Sequence, residues 1–244
     1  WETQRYVLSA KKNAEMYHLK ELYNAAQGTF KQDRWDHQEL YVPNKIATIT
    51  ELFLGLYEVL NEKKYKQIAE KSAECILTLQ DKENVYGGIY QTNKKDKIIT
   101  LYTARCIPAL VKMYKLTKKE KYIEAALDAG QFIKSMRDTE TELYHFGWEH
   151  KDNAWSLMKY PQFIAGGADI IRALLTLKEY NKSAYKESDL SMLLKRQHSN
   201  GSFPTSYGMT AKNEGTKKYR GKPSWRDVMP VVGWNDKAIR VLTL

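Results

Sequence analysis

The sequence predicts an all-α protein built from helical hairpins in series. Three observations carry that class. First, apolar residues recur at helical spacing through the long segments, as at Ile49, Leu52, Phe53, Leu56 and Leu60. Second, a tyrosine-anchored unit repeats. Tyr57 and Tyr65 enclose a short charged turn, Tyr114 and Tyr122 enclose another, and Leu177-Lys-Glu-Tyr-Asn-Lys-Ser-Ala-Tyr185 is a third copy. Tyr65, Tyr122 and Tyr185 follow one another at roughly 60-residue intervals, a period that marks stacked supersecondary units. Third, no stretch sustains the apolar–polar alternation of a half-buried strand, so almost no strand is expected.

The elements follow in order. An N-terminal helix is expected over Glu2–Ala26. Each unit then opens with a helix, at Ile46–Leu60, Ile99–Lys115 and Phe163–Lys178. Pro108 lies inside the second of these and should kink it, because proline removes a backbone donor. After a tight turn comes a second helix, at Tyr65–Gln80, Tyr122–Arg137 and Lys186–Arg196, with small and apolar residues such as Ile123, Ala126, Leu127, Phe132 and Ile133 on one face. A last helix starts near Val228 and runs to Leu244. Turns of about five residues alternate with polar loops of about 18 to 30, rich in Gly, Tyr and Trp. That asymmetry suits a ring with tight turns at one end and functional loops at the other. Two of the long loops open alike. LQDKENVYGGIY (Leu79–Tyr90) and RQHSNGSFP (Arg196–Pro204) each finish a helix, turn, and reach glycine followed by an aromatic. Glycine there supplies left-handed backbone angles, and Tyr90 and Phe203 are expected near the mouth of one cavity.

At 244 residues the chain is read as a single domain, residues 1–244. It begins at Trp1 with no signal-like apolar stretch, so it is read as processed or as a piece of a longer chain, and its compartment is left open. No apolar run approaches the length of a membrane span. The net charge of +10 favours a polyanionic partner. Nucleic acid is not that partner: there is no zinc-ligand spacing, recognition-helix motif or arginine-rich tract. Cys75 and Cys106 both fall in helices and read as small buried hydrophobes.

The helix-end wording Leu79-Gln80-Asp81…Gly87-Gly88-Ile89-Tyr90, its cousin at Gln197–Phe203, and the turn Tyr114–Ala126 resemble the α/α-toroid proteins. These include six-hairpin glycosidases, polysaccharide lyases, uronyl epimerases and the terpene-cyclase and prenyltransferase toroids. The likeness spans about residues 45–205 and implies an α/α toroid of about four hairpins, small or incomplete. Within that superfamily, the chain lacks the Asp-x-Asp-Asp acid of class II terpene cyclases. It also lacks a Cys-His pair for the zinc of the lanthionine cyclases, and neither cysteine has an obvious histidine partner for a prenyltransferase zinc site. The carbohydrate branch fits better.

Tyr144–Trp155 is the densest functional-looking stretch, offering His145, Trp148, Glu149, His150, Asp152 and Trp155. Aromatic faces stack on sugars while carboxylates and amides take the hydroxyl edges. A carboxyl in an apolar cleft also gains the raised pKa of a general acid. Glu149 is therefore expected as general acid or base, with Asp227 as partner. Tyr90 is the candidate acid or base of an elimination. Tyr86, Tyr207, Trp225, Arg226 and Trp234 join the loop as substrate ligands, Arg226 because guanidinium holds carboxylate bidentately. The bland alternatives are aromatics that plug the ring and an Asp227 that caps a helix. His145 and His150, five apart on a loop, lack the spacing of zinc ligands, so no metal and no cofactor are expected. The reading is a carbohydrate-active enzyme that acts on a uronate-containing polysaccharide or oligosaccharide by hydrolysis or β-elimination. A non-catalytic glycan- or protein-binding toroid is the alternative, and oligomeric state is left open.

Overall fold

The computed structural model describes residues 2–35, 37–208 and 231–242. Helix α1 (Glu2–Asn13) continues as a π-helix through Ala14–Leu22 and ends in a two-residue ribbon, β1 (Tyr23–Asn24) with β2 (Thr29–Phe30). Three hairpins follow: α2 (Pro43–Leu60) with α3 (Lys63–Thr78), α4 (Thr100–Thr117) with α5 (Glu120–Ser135), and α6 (Gly167–Leu177) with α7 (Glu187–Leu194). Helix α8 (Val232–Leu242) comes last among the described residues. Helices α2, α4, α6 and α8 pack side by side in that order as an inner layer. Helices α3, α5 and α7 each back their own partner from outside, and α1 rests on α2. This is the two-layered architecture of an α/α toroid.

The tight turns are built twice in the same way. Asn61 ends α2 at φ 54° and donates its backbone N–H to Tyr57; Lys118 ends α4 at φ 58° and donates to Tyr114. Both acceptors are the first tyrosines of the repeat. The second tyrosines are clamps. The Tyr65 hydroxyl donates to Glu15 at 2.7 Å beside Lys64, also at 2.7 Å from that carboxylate. The Tyr122 hydroxyl donates to Glu74 at 2.5 Å beside Lys121, also at 2.5 Å. Helices α3 and α5 thus each open on a Lys-Tyr pair that grips an acid earlier in the chain, on the π-helix and on α3 respectively. The third copy departs from this: Tyr185, just ahead of α7, is 3.4 Å from Glu187 in the first turn of that helix. There the joint is made by Asp189, which accepts from Arg137 and from the Tyr144 hydroxyl.

The core lies between the layers. Phe30, Phe53 and Tyr65 are almost fully buried, with ring centroids 5.7 and 5.9 Å apart along the chain of contacts. Burying side chains of this size is worth about 1.5–3 kcal/mol each.

Several expectations are corrected. The N-terminal helix stops at Leu22, because Tyr23–Asn24 pairs with Thr29–Phe30 instead of continuing the spiral. Phe163 is in a two-residue strand, β6 (Gln162–Phe163), paired with β7 (Ser206–Tyr207), so α6 starts at Gly167. The expected near-absence of strand fails on the long-loop side. There β3 (Lys97–Ile99), β4 (Gly147–Lys151) and β5 (Ala154–Met158) form a three-stranded antiparallel sheet.

The repeated loop opening also has its geometry. The backbone N–H of Asp81 donates to Gly88 O at 2.7 Å, that of Asp138 to Leu143 O at 2.8 Å, and that of His198 to Ser202 O at 2.8 Å. Just before each acceptor stands a left-handed residue: Gly87 and Gly201 at φ 83°, and Glu142 at φ 59°. Phe203 lines a cavity with Asn200, Val232, Asn235 and Ile239, but Tyr90 does not share it. Tyr90 and Phe203 are 8% and 2% exposed, because the turn directs the chain back into the core.

Candidate functional site

The sheet organises the long-loop end. Strands β4 and β5 meet at Asp152-Asn153, with φ 51° and 61°, the two successive left-handed residues of a type I′ hairpin turn. Asp152 is therefore a turn residue, well exposed at the tip, which is the physical reason for its acidic, non-β identity. Register then decides which side chains share a face. Trp148 lies opposite Ile98 and Leu157, and His150 opposite Trp155; Glu149 lies opposite Lys97 and Ser156. Because the side-chain period of a strand is two, Glu149 projects from the opposite face to Trp148 and His150.

The aromatic face is continuous with the core. The Trp155 ring lies 6.0 Å from that of Tyr90 and 5.3 Å from that of His150, and Lys95 Nζ sits 5.8 Å over Tyr90. Tyr90 bridges to Ile98, tying this face to β3. On the other face, Glu149 forms an ion pair with Lys97 at 2.7 Å and its side chain is 37% exposed. The dehydrated setting expected for Glu149 is absent, since its strand neighbours Trp148 and His150 point away from it.

Tyr90 is committed elsewhere. Its hydroxyl donates to Asp81, whose other oxygen accepts the backbone N–H groups of Glu83, Asn84 and Val85 at 2.8–3.0 Å. Burial, then the Asp81 carboxylate, pushes the Tyr90 hydroxyl well above the ordinary tyrosine range. Burial works to raise Asp81 as well, but the Tyr90 hydroxyl and the three amides outweigh it and hold that carboxyl below its usual value. This corrects the acid–base role expected of Tyr90: a buried hydroxyl already donated to a carboxylate is not offered to a substrate.

The next repeat places His145 where Tyr90 stands. His145 donates its backbone N–H to Met136 O as Tyr90 does to Leu79 O, and its Nδ1 lies 3.6 Å from Asp138 Oδ2. Gln162, fully buried, donates to the same carboxylate at 2.7 Å and accepts from Thr141 at 2.8 Å. Burial tends to raise Asp138, but the amides of Glu140 and Thr141 and the Gln162 side chain hold it low.

The other candidates scatter. Tyr86 is 53% exposed and donates to Asp128 of α5 at 3.1 Å, on the outer side. Tyr207 is 47% exposed and pairs with Tyr160, ring centroids 6.2 Å apart, beside the β6–β7 ribbon. Trp225, Arg226 and Asp227 lie outside the described residues, and Trp234 lies on α8. One acid was missed in the sequence. Asp169, in the first turn of α6, takes Arg105 Nε of α4 at 2.6 Å and Lys237 of α8 at 3.1 Å. Its only sequence signal was an acid near a helix start, which reads equally as a dipole partner.

A two-layered array of helical hairpins, with Trp148, His150 and Trp155 on one face of the sheet at its long-loop end, defines the class: an α/α toroid. Residues 1–161 match the model of Glycosyl Hydrolase Family 88, and the chain belongs to that family. No curated protein matches the sequence. Among solved structures, the chain is similar to a family 76 glycoside hydrolase from a bovine Bacteroides thetaiotaomicron strain (14% identity, TM-score 0.53, 68% of this chain and 36% of that one). It is also similar to a D-mannose isomerase (12%, TM-score 0.65, 92% and 63%) and to the cellobiose 2-epimerase of Bacillus thermoamylovorans (14%, TM-score 0.64, 98% and 68%). At these identities the likeness is one of fold. The chain spans from about a third to about two thirds of the length of these structures. No helix among the described residues is long and apolar enough to cross a membrane.

Proposed function

We propose that the chain hydrolyses glycosidic bonds in an acidic, uronate-containing oligosaccharide, bound at the long-loop end against Trp148, His150 and Trp155. The single observation that carries the saccharide reading is the β4–β5 hairpin, which presents packed aromatics on one face and Glu149 on the other within a glycoside hydrolase family. The acidic character of the substrate is supported by the net charge of +10. Hydrolysis is favoured over β-elimination because Tyr90, the tyrosine offered as elimination base, is held by Asp81. In this reading the sugar chain passes over the β5 edge of the sheet from the aromatic face to the face of Glu149, which serves as general acid or base, with Asp227 its partner and Arg226 a ligand of the substrate.

The test is a panel of uronate-containing and neutral oligosaccharides. Reducing-end release is followed beside the absorbance of new double bonds. Release without new absorbance supports the proposal, and absorbance without hydrolysis reverses the choice of reaction. Glu149→Gln should cost on the order of 100-fold in rate, the usual loss when general acid–base help is removed. Full activity in that variant moves the role to another carboxylate. Asp169→Asn is the paired measurement. A protein that binds these sugars but never turns them over is a binding module.

A further inference from the structure

The outer helices cover one face of the inner layer. On the uncovered face, three side chains from three successive inner helices meet. Arg172 of α6 donates through Nη2 to Glu51 Oε1 of α2 at 2.9 Å, and Lys112 Nζ of α4 lies 3.3 Å from the same oxygen. Helix α4 stands between α2 and α6 in the layer. Residues of its two neighbours therefore touch only because the layer curves towards this face, which makes the cluster part of a concave wall. Glu51 lies eight residues into α2, roughly 12 Å below its long-loop end at 1.5 Å per residue.

The charges in this cluster do not balance. Two cations converge on one oxygen of one carboxylate. The Arg172 side chain is 36% exposed and that of Lys112 46%, while Glu51 is only 17% exposed. Among the described residues, Glu51 is the one acceptor of the Arg172 guanidinium. A guanidinium engaged through one nitrogen keeps a second edge for a planar bidentate acceptor. There is also room for a ligand. Gly55 follows Glu51 by one turn on the same face of α2, and a methyl group added there would meet nothing within 4 Å.

We propose that Arg172 and Lys112 bind a carboxylate of the sugar substrate on this concave wall. Glu51 holds both cations in place and competes with the incoming acid for them. The inference rests on the acidic-glycan reading above and adds the residues that recognise the acid. A neutral sugar gains nothing here, since both cations already have Glu51. A uronate gains a charge-assisted fork and an ammonium, so the cluster selects acidic over neutral sugars.

The competition supplies the test. Binding of trigalacturonate and of its carboxyl-reduced, neutral counterpart is measured by calorimetry at two salt concentrations, with thermal melts run beside each variant. Arg172→Gln and Lys112→Met should each weaken trigalacturonate by about ten-fold, the usual size for one charge-assisted bond. Both should flatten its salt dependence and leave the neutral trisaccharide alone. Glu51→Gln should tighten trigalacturonate, because it removes the competitor. An ion pair that only ties helices together predicts a different result: all three changes lower the melting temperature and shift both ligands in the same direction. That outcome overturns the inference. A wild-type protein that prefers the acid, with variants that keep the preference, overturns this inference alone. Equal wild-type binding of the two trisaccharides overturns it together with the acidic-substrate reading.

Discussion

Replacing Tyr90 by Phe separates two roles that a tyrosine in this position can have. The substitution keeps the ring, and with it the contact to Trp155 at 6.0 Å and the burial of a residue only 8% exposed. It removes one hydroxyl, the one donated to Asp81. Asp81 retains three backbone N–H donors on its other oxygen, so the loss is one charge-assisted bond with the carboxylate still partly satisfied. Such a loss is worth about 2 kcal/mol, or roughly 4–8 °C in melting temperature for a chain of this size. The pH dependence follows from the low pKa of Asp81. A carboxyl depressed in the folded state stabilises fully above its unfolded value, about 3.9, and that stability is lost as pH falls through the folded value. The gap between wild type and Tyr90→Phe should therefore be constant above about pH 5 and shrink below about pH 4. Thermal unfolding across pH 3–7 measures it, alongside hydrolysis of the substrate found in the oligosaccharide panel. Two results would refute the reasoning: an unchanged melting temperature with activity lost a hundred-fold, or a gap as wide at pH 3 as at pH 7.

Three further outcomes are expected. Glu142 holds at φ 59° the place that Gly87 and Gly201 fill in the other repeats, so Glu142→Gly should stabilise by about 0.5–1 kcal/mol, less the small share of its exposed ion pair with Lys195; a lowered melting temperature would contradict this. A Cβ on Gly147 would overlap the Ile98 carbonyl across the β3–β4 pair, so Gly147→Ala should cost about 1–3 kcal/mol and weaken sugar binding through displaced Trp148 and His150, whereas wild-type affinity and melting would show that the strands yield freely. Gln162→Leu removes a buried donor from Asp138, whose carboxyl is also held low, so it should destabilise by about 2 kcal/mol near neutrality and progressively less below about pH 4, read from acid-unfolding curves.

Most of the helical frame was legible because its signals are local. The amphipathic spacing placed every inner and outer helix from α2 to α7, and the paired tyrosines marked the tight turns whose caps they accept. The sheet was not legible. Lys97-Ile-Ile99 and Ala154-Trp-Ser-Leu-Met158 are short and held by long-range pairing, and β4 carries glycine, tryptophan and three charged or titratable residues in its five positions. Asp152-Asn153 was the available clue, since that dipeptide tolerates two left-handed residues in a row. The candidate site was legible as a region but not as a geometry. Glu149 adjoins Trp148 and His150 in sequence, and the alternation of a strand sends it to the other face. The Glu51–Lys112–Arg172 cluster draws one residue from each of three helices, and no local pattern announces such a meeting.

The Lys-Tyr clamps all reach backwards along the chain. Tyr65 closes on Glu15 and Tyr122 on Glu74, so each hairpin docks on an acid synthesised about 50 residues earlier. During synthesis, the receptor for every new hairpin has already left the ribosome when its tyrosine emerges, and growth can proceed as in a one-dimensional array in which each unit is templated by the last. At the third hairpin the template changes: the receptor, Asp189, is on the incoming unit, and the donors Arg137 and Tyr144 wait on the finished one. That reversal makes the third joint chemically unlike the first two. A hairpin duplicated or deleted ahead of it keeps a compatible neighbour, whereas one exchanged across it meets acid with acid.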